Sequence, residues 1–301
     1  MIRLTPLVAE ALLARRPVVA LESSVLAQGL PIPANREAAD RMQHAVVATG
    51  SVPAITAVVD GTPTLGLTAT ELERFLAREG VAKVSARDLA AAVAFGRTGA
   101  TTVAATLALI ARSDVQVFAT GGIGGVHREP PFDESADLVE LARTPRVVVC
   151  AGAKSILDLP ATLERLETLG IPVVGYRTRE FPAFFARESG RAVSIVAETP
   201  REVAAIVRAH RALGRREALL VVQPPPADSA LSREEVEGAV ADALQAARAA
   251  GVRGAAITPF LLGEVERRTN GRSQRANLAL LESNARLAGE IAAALGAPAT
   301  T

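Results

Sequence analysis

Residues 146–159 read RVVVCAGAKSILDL. After Arg146, three β-branched valines, Cys150 and Ala151 form an apolar run that ends at Gly152, the mark of a strand buried on both faces. Similar runs recur at 17–22 (PVVALE), 52–59, 115–120 (VQVFAT), 172–175 and 219–222. Helical patterns lie between them. One spans 35–49 and stops at Gly50. Thr68 and Glu71 form a capping box that opens a helix reaching Arg78. Others are expected at 88–95, 101–112 and 163–169, the last ended by Gly170. Thr199-Pro200-Arg201-Glu202 combines an N-cap, a first-turn proline and a capping-box glutamate. Ser232 and Glu235 cap a helix running to about Ala250, and the last third is helical at 259–268 and 273–295. Strands alternating with helices of this length predict an α/β fold, a mostly parallel sheet covered on both faces. Asp60-Gly61, followed by 62–66, predicts a hairpin and therefore a mixed sheet. Pro224-Pro225-Pro226 has the look of a linker. The helices after it are apolar on one face and need cover, so residues 1–301 are expected to form a single domain.

The chain has 301 residues, 49% hydrophobic and 22% charged, enough to bury a core without disulfides or metal staples. With no Trp, one Tyr and eight Phe, that core must be aliphatic. No apolar run approaches the ~18–20 residues of a spanning helix. A net charge of +1 supplies no field for nucleic acid or anionic lipid, so neither nucleic acid nor membrane is an expected partner. The first 16 residues lack the apolar core and cleavage site of a signal peptide, and the lone Cys150 excludes an internal disulfide. These features point to the cytoplasm.

Of 33 basic residues only Lys83 and Lys154 are lysine. Arginine keeps its proton in proteins, whereas a poorly solvated lysine is a neutral nucleophile or base. Either two lysines escaped a compositional drift or they mark chemistry. Lys154 follows a buried strand through Ala151-Gly152-Ala153, where an amine loses water and becomes fit for Schiff-base formation; the plain alternative is a lysine snorkelling from a strand end. Lys83, after Val81-Ala82, is a phosphate-binding point charge or a rim residue. Glu22 ends a strand, the place where α/β sheets bind ligands.

Gly122-Ile123-Gly124 lacks the third glycine and the following helix of a dinucleotide fingerprint. His127 follows that glycine turn at a strand end and is a site candidate; His44 and His210 fall in helical patterns and read as structural or exposed. Asp133, Glu134 and Asp137 open a helix, where Asp133 and Asp137 share a face if both are helical. A helix N-terminal charge pattern explains them, and so does a hard divalent cation with mostly water ligands. The start of the helix expected at 101 is a phosphate seat or an ordinary cap.

Several strings are long and uncommon: Ala20-Leu21-Glu22-Ser23-Ser24, Lys83-Val84-Ser85, Gly99-Ala100-Thr101-Thr102-Val103, residues 118–128 (FATGGIGGVHR), residues 133–137, residues 150–159, and Thr258-Pro259-Phe260-Leu261-Leu262 with Asn277. Together they closely resemble the pseudouridine-5'-phosphate glycosidase family, also called indigoidine synthase A-like, over about residues 17–295. The resemblance implies a three-layer α/β/α fold, a homotrimer and a divalent metal, manganese in most members. It implies reversible cleavage of the C–C glycosidic bond of pseudouridine 5'-phosphate to uracil and ribose 5-phosphate. Carried over by position, Lys154 is the Schiff-base lysine, Glu22 the proton donor and Asp133 the metal ligand. Lys83, Val103 and Ser135-Ala136-Asp137 line the substrate, with Asp137 a second acid–base candidate and His127 and Asn277 further contacts. Around Glu129-Pro130-Pro131 the chain is shorter than the family pattern. Lys154 would form an imine at the sugar C1 while an acid protonates the uracil carbon. A Schiff-base aldolase or lyase acting on another sugar phosphate needs the same lysine and phosphate seat. A non-enzymatic nucleotide-binding regulator would not need a neutral lysine.

Overall fold

The computed structural model describes residues 2–129, 133–253 and 257–297. Its strands are β1 (Arg3–Leu4), β2 (Val18–Glu22), β3 (Val52–Val59), β4 (Thr62–Leu65), β5 (Ala82–Val84), β6 (Gly99–Thr101), β7 (Val117–Ala119), β8 (Val126–His127), β9 (Val147–Cys150), β10 (Leu157–Asp158), β11 (Val173–Tyr176), β12 (Ile195–Ala197) and β13 (Leu219–Val222). The helices are α1 (Pro6–Leu13), α2 (Ala34–Val47), α3 (Ala69–Ala77), α4 (Leu89–Ala94), α5 (Val103–Ile110), α6 (Ala136–Arg143), α7 (Leu159–Thr168), α8 (Pro200–Ala212), α9 (Arg233–Ala249), α10 (Ile257–Arg268) and α11 (Arg272–Gly296).

Nine strands form one path in the order β1-β4-β3-β2-β7-β9-β13-β11-β12, with β6 joined to β3 and β5 to β6. The run from β3 through β2, β7, β9, β13, β11 and β12 is parallel throughout, while β3–β4 and β3–β6 are antiparallel. The expected mixed, mostly parallel sheet is therefore present. Every residue of β2, β7, β9 and β13 is buried, because helices cover both faces. α11 packs with α2 and α8 against β2, β7 and β9, and α5 lies on β2 and β3 beside α6. The result is the three-layer α/β/α arrangement. The core is aliphatic as composition requires, with Phe75, Phe118 and Phe181 its largest fully buried side chains.

Two features of the sheet create a site. From β2 the chain first places β3 on one side and later β7 on the other. That reversal is the topological switch point at which α/β sheets open a crevice beyond their strand ends. β3 is also three residues longer than the β2 segment paired with it, which ends at Thr56. β6 takes over β3 at Ala57 and Val58, and this carries the start of α5 to the carboxyl end of β2.

The structure corrects several local expectations. Gly99–Thr101 is strand, not loop and helix, because its backbone bonds both β3 and β5; α5 begins at Val103 with Thr102 as its cap. Asp133 lies before the Ser135 cap of α6, so it shares no helical face with Asp137. Thr199 caps α8, but the Glu202 carboxylate accepts the Glu198 N–H at 2.7 Å and does not complete the box on Thr199. α1, β1, β12 and a π-helical turn at Val25–Gly29 carried no clear periodic signal. His44 is exposed, and the His210 Nε2 lies 3.0 Å from the Glu217 carbonyl oxygen, both outside the site.

Candidate active site

Glu22, Thr120 and Lys154 come from the ends of three adjacent strands, β2, β7 and β9. Glu22 is 6% exposed. The Ser24 hydroxyl donates to its Oε2 and the Thr120 hydroxyl to its Oε1, each at 2.5 Å, so both oxygens are held in place. Below it lies a closed group of hydroxyls. Ser23 and Thr101 both donate to the Thr56 carbonyl, and the Thr101 N–H donates to Ser23 Oγ at 2.9 Å. This ties β2, β3 and β6 together under the cavity floor.

The glycine turn 121–125 runs alongside residues 151–154. Ala151 N–H donates to the Gly121 carbonyl, Ile123 N–H to that of Gly152, and Lys154 N–H to that of Ile123. Gly152 has φ +85°, and a Cβ there would run into the Pro182 carbonyl oxygen. A Cβ at Gly124 would strike the Ser135 hydroxyl and come within 2.8 Å of Asp137 Oδ2. These glycines therefore serve close packing and fix the backbone of Lys154. Cys150, just before it, is fully buried, and burial pushes its thiol up to about 12. It is chemically inert at neutral pH.

A cavity of about 340 Å³ opens over these residues, lined among others by Glu22, Lys83, Val103, His127, Asp137 and Lys154. Ser135 and Ala136 line it too. A lobe of about 80 Å³ shares Glu22, Ser24, Lys83, Lys154 and Thr258 with it and adds Thr120, Phe184, Gln28 and Asn277. The fold therefore brings nine of the ten expected residues to one place, Asn277 in the smaller lobe. Asp133 is not among the lining residues; its carbonyl accepts the N–H of His127 in β8 at 2.9 Å.

Electrostatics separates Lys83 from an ordinary surface lysine. Lys83 is exposed overall, yet protein around its ammonium holds its pKa below the usual lysine value, and repulsion from Lys154 adds to this. Glu22 and Asp137 act in the opposite sense. Burial likewise lowers His127, with Lys154 adding and Asp133 opposing, which keeps the imidazole neutral at pH 7. Asp137 is 5% exposed, and its carboxylate accepts the Ala104 N–H at 2.9 Å and the Gly124 N–H at 2.7 Å. The start of α5 is thus mostly occupied: Asp137 takes the Ala104 amide and Thr102 Oγ1 that of Ala105. The Val103 N–H has no acceptor among the described residues. Thr102, in the segment expected to be a phosphate seat, lines the cavity, while Arg87, Thr120, Gln28 and Phe184 also line it although none lies in a pattern that chemistry alone singles out.

Residues 7–294 match the family described as "Indigoidine synthase A like protein". A protein of Gemmatimonas aurantiaca named pseudouridine-5'-phosphate glycosidase is 64% identical over 293 residues, covering 97% of this chain and 96% of its own. One of the same name from Herpetosiphon aurantiacus is 51% identical, covering 97% of each. The crystal structure of the prealnumycin C-glycosynthase AlnA in complex with ribulose 5-phosphate superimposes with a TM-score of 0.91 at 40% identity, over 98% of this chain and 97% of that one. An indigoidine synthase A-like protein from Thermotoga maritima gives 0.87 at 41%, over 93% and 94%. Full-length coverage at these identities, on a sheet with the same architecture, makes the chain a member of the indigoidine synthase A-like family.

Proposed function

We propose that the protein cleaves and re-forms the C–C glycosidic bond of pseudouridine 5'-phosphate, yielding uracil and ribose 5-phosphate through a covalent bond to Lys154. The observation that carries this reading is the convergence of Lys154, Lys83 and a doubly clamped Glu22 on one cavity at the switch point. Ordinary glycosidases use two carboxylates because the departing atom is an electronegative heteroatom. Here the uracil leaves through carbon, and an amine opens another route. Glu22 protonates the ribose ring oxygen as that ring opens, and the Lys154 amine nitrogen bonds to C1 and gives up a proton. The nitrogen lone pair then forms a C=N bond while the C1–carbon bond breaks. The bonding pair leaves with the uracil carbon, which takes up a proton, and water hydrolyses the imine to release ribose 5-phosphate. Lys83 and the Val103 amide hold the phosphate, with Ser135 and Ala136 along the sugar. His127 is a neutral hydrogen-bonding neighbour. Asp137 is the second acid–base candidate, and its two amide bonds also give it the task of fixing the start of α5 and the glycine turn.

The family resemblance implies a divalent cation, manganese, with Asp133 as its ligand. Asp133 would be its one protein carboxylate, with water filling the rest of the shell, as a hard cation accepts. Such an ion would offset phosphate charge and orient the substrate. The protein acts as a cytoplasmic homotrimer in this reading, as the sequence resemblance implies; among the described residues no helix is long and apolar enough to cross a membrane.

Borohydride trapping with ribose 5-phosphate, followed by peptide mass spectrometry, tests the mechanism. A sugar adduct on Lys154, lost together with turnover in Lys154→Arg, is the expected result. Turnover of pseudouridine 5'-phosphate without an adduct would sink the Schiff base. Ribose 5-phosphate consumption that does not depend on uracil would instead favour an aldolase or lyase.

A further inference from the structure

Two side-chain amides of the smaller lobe have oxygens without partners. Gln28 stands on the π-helical turn Val25–Gly29 and Asn277 on α11. Both line the lobe beside Phe184, Pro259 and Leu262. Gln28 Oε1 and Asn277 Oδ1 are buried with no hydrogen-bond partner, and Asn277 is 8% exposed. Native proteins keep few such atoms, and a pair of them in one concave, partly aromatic lobe calls for a ligand with two donors. The Gln28 Nε2 donates to the Val81 carbonyl at 3.4 Å, which leaves the oxygen as the end free for a ligand.

A uracil attached to ribose through carbon keeps both ring N–H groups, N1–H and N3–H. A uracil attached through N1 keeps only one. We infer that Gln28 is a specificity-determining residue, its amide and that of Asn277 accepting from the two ring N–H groups of the base, so that the lobe takes the carbon-linked nucleotide and disfavours the nitrogen-linked isomer. This rests on the function proposed above. The apolar walls hold the faces of the ring, and the two acceptors read its edge. Supplying only one donor leaves one acceptor buried and unpaired, which is how a polar site rejects an analogue lacking a group.

The test runs the reaction toward synthesis, with ribose 5-phosphate held constant and uracil, 1-methyluracil or 3-methyluracil varied. Each methyl group deletes one donor, and each is expected to raise the wild-type KM by about tenfold or more, the size of one hydrogen bond. Gln28→Ala removes an acceptor and opens space. It is expected to raise the uracil KM about tenfold and to accept one of the two methyluracils as well as uracil itself. Gln28→Met, which keeps the length of the side chain, should raise the uracil KM in the same way. Unchanged uracil KM and unchanged discrimination in both variants overturn the inference. Borohydride trapping with ribose 5-phosphate alone needs no base and separates the two readings. An adduct on Lys154 in the variants shows that the fold and sugar site are intact. No adduct in the wild type overturns the proposed function rather than the role of Gln28.

Discussion

Lys83 shows how a single residue carries opposing demands. Protein around its ammonium and the nearby charge of Lys154 lower its pKa, while Glu22 and Asp137 resist. Below the lowered value it is charged and able to hold a phosphate; above it, neutral. The KM for ribose 5-phosphate is therefore expected to rise with pH through a range lower than a free lysine would give. Lys83→Arg, which does not titrate, should flatten that rise. Identical pH profiles for the two proteins would remove Lys83 from phosphate binding. The sign for stability follows from the same shift. The unfolded chain holds this proton more tightly, so the group opposes folding below its folded pKa, and the opposition fades as pH climbs from there to about 10.4. Thermal melts of Lys83→Met at neutral pH should accordingly show a higher midpoint together with weaker substrate binding.

At the scale of elements, α5, α6 and the glycine turn meet at Asp137, whose carboxylate accepts one backbone N–H from α5 and one from Gly124. Removing the carboxylate strands two buried donors. Asp137→Ala is expected to cost about 2–4 kcal/mol in urea unfolding, and Asp137→Asn, which keeps an acceptor, distinctly less. A fully stable Asp137→Ala protein without activity would return Asp137 to a purely chemical role. Asp137, 33 positions along the chain, thus shares the start of α5 with its cap Thr102. Thr101 and Thr102 both look like openings of a helix. Only the pairing of Gly99–Thr101 with β3 and β5 decides that the strand claims Thr101 and leaves Thr102 as the cap.

Across the whole molecule, the C-terminal helix closes the structure onto its earliest elements. α11 packs on α2, α8 and the strands β2, β7 and β9. Asn284 of α11 donates to the carbonyls of Thr120 at 2.8 Å and Gly121 at 3.3 Å, and accepts from Gln223 at 3.0 Å. The segment after Pro224–Pro226 therefore holds the turn that bears Thr120 and the glycines. We expect one cooperative unfolding transition, with loss of helix signal coinciding with exposure of the Cys150 thiol to a labelling reagent. Two separated transitions would place a domain boundary near the prolines.

The alternation of buried strands with helices, the aliphatic core and the mixed sheet were determined by local sequence, because hydrophobic periodicity and turn chemistry act over a few residues. So was the prominence of Lys154, Lys83 and Glu22, which follows from residue type and from position at strand ends. Tertiary structure alone decided the rest. Thr120 clamps Glu22 only because β2 and β7 are neighbours at the switch point. Gln28 and Asn277 lie 249 positions apart and share a lobe only because α11 folds back over the sheet. Asp133 and Asp137 parted because the Ser135 cap starts α6 between them. Such meetings depend on strand order and helix packing, and no short window of sequence encodes either.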